Sequence, residues 1–211
     1  MSEEYPYRIA VLLSGGGTNL QAIIDSIELG KLPVSLAFVA SNKAKAYGLE
    51  RARKHAIPAY HISAKTHGSQ HGAEQEIYRL IQEHQVHLLC LAGYLKKLSP
   101  FLITKMRHRI INIHPGILPF LGGKGLYGHH VHQRVIELGM KISGVTIHLV
   151  DEEYDHGPII AQEGVAVADN DDADSLAERV LKVEHKLYPQ VINYFAQGKI
   201  RLEARRIYID D

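Results

Sequence analysis

The chain has 211 residues, with 24 Lys+Arg against 23 Asp+Glu and a formal charge of +1. Apolar residues make up 45% and charged residues 22%, a globular mix that excludes intrinsic disorder. So small a charge counts against dedicated nucleic-acid binding, which shows as a basic excess or stripe, and no apolar run approaches the roughly 18 residues of a membrane span.

About 200 residues suits a single domain. The lone cysteine, Cys90, excludes an internal disulfide framework and suits a reducing cytosol. The acidic start Met1-Ser2-Glu3-Glu4 does not read as a signal peptide. One count is unusual: 14 histidines.

Apolar runs alternate with amphipathic stretches. Ile9 to Leu13 is a buried-strand pattern, broken by Gly15-Gly16-Gly17. Leu20, Ile23, Ile24 and Ile27 then recur with helical period over 19–29, and Gly30 suits a C-cap. Further strands are expected at 36–40, 59–63, 87–92 and 109–114, with helices at 47–55 and 73–84 between them. This β-α-β-α order predicts a Rossmann-like, doubly wound and mostly parallel sheet, with function at the strand C-termini.

After Pro119 a glycine-rich loop leads to a helix near 130–138, then to strands at 145–150 and 159–167. A long helix is expected over 175–197, where Ser175 and Glu178 have capping-box spacing and Asp172 is the alternative N-cap. Two tail strands, 200–202 and 207–209, close the chain.

Ser14-Gly15-Gly16-Gly17-Thr18-Asn19 stands between the first strand and first helix. Its glycines let backbone N–H groups approach an anion at a helix N-terminus. No Gly-Lys-Ser/Thr follows, Leu20 replaces the third glycine of a dinucleotide fingerprint, and the second strand ends in Ser41-Asn42 rather than an acid. A monophosphate is the better expectation; a tight turn would use fewer glycines.

Asn112-Ile113-His114-Pro115 ends a buried strand, so Asn112 and His114 share a face. An amide donor and an imidazole on one edge suit oxyanion stabilisation, and equally suit a satisfied polar strand end. In Asp151 to Pro158, one of four acids could point back to His114 as an orienting or proton-moving carboxylate. Spacing alone does not select it. His129, His130 and His132 do not share one helical face, which counts against a metal, and they read as surface. Leu95 to Leu98, with Lys96 and Lys97, read as a solvated loop.

In this order the pieces resemble the glycinamide ribonucleotide formyltransferase family of purine biosynthesis. The match runs through Ser14 to Ile24, Ser41-Asn42-Lys43, Leu91 to Tyr94, Asn112 to Pro115 with Leu118-Pro119, Gly144 to Asp151, Asp155 to Pro158 and Glu184-His185. The resemblance implies a phosphate-binding half, about 1–110, and a folate-binding catalytic half, about 111–211. It implies Asn112, His114 and Asp155 as the catalytic set, and a protonated His114 adding charge at the oxyanion. Gly17, Thr18 and Asn19, with Arg109, would hold the substrate phosphate, and Glu184 would touch the ribonucleotide. Leu95, Lys96, Lys97, Leu98, Asn112 and Val150 would line the pocket for 10-formyltetrahydrofolate, the co-substrate. No metal is implied. The expected setting is the cytoplasm, as a monomer or homodimer acting on small molecules, without nucleic acid or membrane.

Some members carry an Arg near position 70 that helps hold folate, where this chain reads Gly68-Ser69-Gln70-His71. The rivals are a methionyl-tRNA formyltransferase, which has a basic tRNA-binding domain, and a formyltetrahydrofolate deformylase. A non-catalytic nucleotide-binding module would leave Asn112, His114 and Asp155 apart.

Overall fold

The computed structural model describes residues 7–210. The acidic Met1 to Glu4 segment lies outside them.

A seven-stranded sheet forms the centre, built from β1 (Tyr7–Leu13), β2 (Val34–Ser41), β3 (Ala59–His61), β4 (Leu88–Leu91), β5 (Ile110–His114), β6 (Ile142–Leu149) and β7 (Ile159–Ala166). Its order is β3-β2-β1-β4-β5-β6-β7. The first five strands run parallel, and β6 and β7 extend the sheet antiparallel. The direction of strand order reverses between β1 and β4, which opens a crevice at their C-terminal ends.

Alternation along the strands sorts the core into two layers. Ile9, Val11 and Leu13 face one side with Cys90, Ile111 and Ile113. There they pack on α1 (Thr18–Glu28), α5 (His129–Glu137) and α6 (Ala173–Ala196). Ala10 and Leu12 face the other side with Leu89, Leu91 and Ile110, against α3 (Gln70–Glu83) and α4 (Pro100–Lys105). The remaining helix, α2 (Tyr47–Lys54), lies beside α1.

Two local expectations are corrected. The 24-residue α6 is capped by Asp172, not Ser175. Asp172 accepts from the Ser175 N–H at 2.8 Å, and the Ser175 hydroxyl accepts from the Asp172 N–H at 3.1 Å. Helix α4 has no periodic signature in the sequence, because six residues starting at Pro100 are too short to display one. The tail strands, β8 (Ile200–Glu203) and β9 (Arg206–Ile209), form a separate hairpin. No helix among the described residues is long and apolar enough to cross a membrane.

Candidate active site

The glycine loop is fixed from several directions. Ser14 donates its hydroxyl to the Asn42 side chain at 2.5 Å and accepts from the Leu95 N–H at 2.9 Å, joining the ends of β1, β2 and β4. Gly17 has φ +72°, and a Cβ there would lie 2.7 Å from the Gly48 Cα. Glycine is therefore required on two counts, left-handed backbone and close approach to α2. Helix α1 begins with no side-chain cap. Among the described residues, the amides of Gly16, Gly17, Thr18 and Asn19 have no hydrogen-bond partner. Free amides at a helix N-terminus attract an anion.

The end of β5 carries the second group. Asn112 lies opposite His148 and His114 opposite Thr146 on the antiparallel neighbour β6, so all four side chains share a face. Asn112 Nδ2 lies 3.1 Å from His148 Nε2, and His148 Nδ1 lies 2.8 Å from the Leu149 carbonyl. A carbonyl only accepts, so His148 Nδ1 carries the proton and Nε2 accepts from Asn112. The second Asn112 N–H is left for another acceptor. Thr146 donates to the Gly116 carbonyl at 2.7 Å and accepts from the Leu118 N–H at 3.1 Å, pinning the chain just beyond His114.

Asp155 is the acid in the 151–158 loop that turns inward. Its Oδ1 lies 3.7 Å from both His114 Nδ1 and His148 Nε2, and its Oδ2 accepts from the Gly123 N–H at 3.0 Å. A gap of 3.7 Å is too long for a direct hydrogen bond, but one oxygen about 2.8 Å from each partner spans it. Burial alone would raise the Asp155 pKa; the His148 and His114 imidazoles and the Gly123 N–H outweigh it and hold it below the usual carboxylate value.

His114 is buried, and its Nε2 donates to the Leu121 carbonyl at 2.7 Å. Burial holds its pKa below the ordinary histidine value, although Asp155 and the Leu121 carbonyl pull the other way. Burial thus works against a protonated His114, while the Asp155 carboxylate, 3.7 Å from its Nδ1, favours it.

Two cavities meet here. The first, about 550 Å³, is bordered by Leu95, Lys96, Lys97, Leu98, Asn112, His114, Val150 and Asp155. Lys97 and Tyr154 close one side, with the ammonium 5.5 Å from the ring centre. The other, about 600 Å³, is bordered by Asn19, His132 and Glu184. Gly93, Ile113, Pro115, Gly128 and His129 border both. In the second cavity Glu184 accepts from the Asn19 amide at 3.0 Å. Burial raises its pKa to about 7, against the lowering effect of the Asn19 bond.

Arg109 is not brought to this site. It precedes the first residue of β5, at the opposite end from His114, and donates to the Lys105 carbonyl at 3.3 Å. Five residues of strand separate the two by about 16 Å. The cation beside the glycine loop is instead Arg51 of α2, which the sequence did not single out. His148 was equally unassigned. The 129–132 cluster is not simply surface: His132 is 4% exposed, His129 pairs with Asp174 at 3.0 Å, and His130 borders the first cavity.

Residues 7–192 match the formyl transferase family. The chain belongs to that family. Among members of it, the chain is 39% identical to the phosphoribosylglycinamide formyltransferase of Haemophilus influenzae over 203 residues, covering 96% of this chain and 93% of the relative. The crystal structure of glycinamide ribonucleotide transformylase 1 from Symbiobacterium toebii superposes with a TM-score of 0.92 at 39% identity, covering 99% of this chain and 96% of that one. A formyltetrahydrofolate deformylase from Pseudomonas syringae shares the fold at a TM-score of 0.86 but is 26% identical, and the match covers 97% of this chain and 66% of that one. The resemblance drawn from the motifs is thus matched by relatives that align over nearly the whole formyl transferase chain.

Proposed function

We propose that the protein transfers the formyl group of 10-formyltetrahydrofolate to the amine of N1-(5-phospho-D-ribosyl)glycinamide, in the cytoplasm, as a monomer or homodimer. The carrying observation is the pair of cavities that meet at the end of β5, one bordered by the Asn112, His114 and Asp155 group and the other by Asn19 and Glu184. A water-directed hydrolase needs only one organic substrate site. A transferase needs two that adjoin at the reacting atoms.

In this reading the folate enters the first cavity, beside Asn112, and the ribonucleotide the second, with its phosphate on the amides of Gly17, Thr18 and Asn19. The amine nitrogen attacks the formyl carbon, and the carbonyl electron pair moves to oxygen. The free Asn112 N–H meets that oxyanion, a contribution of about 10²–10³ in rate. Asp155 accepts the proton leaving the amine through a bridging oxygen, and His114 Nδ1 relays it toward the departing folate nitrogen. Such proton transfer contributes roughly 10²–10⁴. The carbon–nitrogen bond to folate then breaks, giving the formylated amide and tetrahydrofolate. Holding both substrates across one strand end supplies much of the remainder.

The test is formyl transfer from 10-formyltetrahydrofolate with and without the ribonucleotide amine. Formylated ribonucleotide is expected, at a rate set by the amine concentration. Formate release that does not depend on the amine would make the protein a deformylase instead.

A further inference from the structure

The glycine loop is shaped from behind by α2. The Gly48 N–H donates to the Gly15 carbonyl at 3.0 Å, and Arg51 Nε donates to the Gly16 carbonyl at 2.8 Å. In a trans peptide the C=O and N–H point in opposite directions. Turning both carbonyls onto α2 therefore turns the amides of Gly16 and Gly17 the other way. These are two of the four loop amides, those of Gly16 to Asn19, that have no partner among the described residues.

Arg51 is itself held firmly. Its Nη1 donates to the Gln21 side chain at 3.0 Å, and its guanidinium lies 4.9 Å from the Tyr47 ring centre. It thus ties α2 to both the loop and α1. A guanidinium keeps its charge at all working pH values. A charged donor on the Gly16 carbonyl also polarises that peptide, making the Gly17 N–H at its other end a stronger donor. The cavity bordered by Asn19, at the start of α1, and by Glu184 is also bordered by His132, a buried histidine whose Nδ1 has no partner among the described residues.

We infer that Arg51 is a positioning residue for phosphate recognition: it acts through the Gly16 peptide to aim and strengthen the amides that bind the phosphate of the amine substrate. The inference rests on the loop being that phosphate's site, and the test separates the two.

Wild type, Arg51→Ala and Arg51→Lys are assayed with the phosphorylated amine and with its dephosphorylated nucleoside, and thermal unfolding is followed in parallel. Arg51→Ala is expected to raise KM for the phosphorylated substrate about tenfold, the scale of one lost charge-assisted hydrogen bond, with the loss falling on KM rather than kcat. Arg51→Lys, which can still reach one carbonyl, is expected to recover part of it. With the nucleoside, the loss is expected to be much smaller. An equal loss with both substrates, or none with either, overturns the role given to Arg51. A wild-type enzyme that does not distinguish the two substrates overturns the phosphate reading itself, and the inference with it.

Discussion

Asn112 donates its side-chain amide to His148 Nε2, 3.1 Å away on the adjoining antiparallel strand. Because His148 spends its one proton on the Leu149 carbonyl, a flipped Asn112 would set its oxygen against a lone pair. The histidine therefore fixes which way the amide faces. Asn112→Ala is expected to cut kcat by about 10²–10³. His148→Phe leaves the amide in place but free to turn, so a smaller loss is expected, about tenfold and mainly in kcat. Steady-state kinetics of both variants check this; unchanged kcat in His148→Phe would remove the orienting role.

This pairing also marks the limit of what the sequence discloses. The strand-end run Asn112 to Pro115, the glycine loop and the switch-point fold are local patterns, and they were legible. His148 is functional only because β6 pairs antiparallel with β5 in a register that sets it opposite Asn112, and that register is not written in either strand alone. Arg51 is hidden for the same reason, since its contact with Gly16 spans 35 residues. Arg109 fails in the opposite sense. It stands three positions from Asn112 in the chain, yet at about 3.3 Å per residue the strand sets it at the opposite end of the sheet.

Asp155 and His114 are expected to behave as a coupled pair. The carboxylate is the principal influence raising the His114 pKa against burial. Asp155→Asn keeps an oxygen for the Gly123 N–H but removes the charge. The His114 pKa, already below the ordinary value, is then expected to fall further, and kcat to drop by roughly 10²–10⁴. Imidazole chemical shifts followed through a pH titration check the first effect. A His114 pKa that does not move in the variant would show that the two groups are not electrostatically linked.

Buried histidines are expected to make the fold acid-sensitive. Burial lowers the pKa of His114, His132 and His185, that of His132 to about 4. In the unfolded chain each takes up its proton near 6.5. As pH falls below about 6.5, the unfolded state therefore binds more protons than the folded one, and stability drops. For His132 the gap corresponds to on the order of 3 kcal/mol near pH 4. His132→Leu removes that contribution, so its Tm is expected to fall less than wild type between pH 7 and pH 5. Parallel Tm curves for the two proteins would contradict the assignment.

Glu184 has the opposite pH signature. Burial raises its pKa to about 7, while the Asn19 bond opposes the rise. An acid raised in the fold contributes stability that is fully present below about pH 4.5 and is lost as pH climbs through 7, because the folded site then holds a costly buried charge. Glu184→Gln keeps an oxygen for Asn19 and removes the titration. Its Tm is expected to match wild type near pH 4 and to exceed it at pH 8, by up to on the order of 3 kcal/mol in stability. The same change is expected to raise KM for the ribonucleotide, since the carboxyl borders the cavity assigned to it. Calorimetry at the two pH values, beside kinetics at pH 8, measures both effects. A variant that is no more stable than wild type at pH 8 would show that the buried carboxyl carries no such cost.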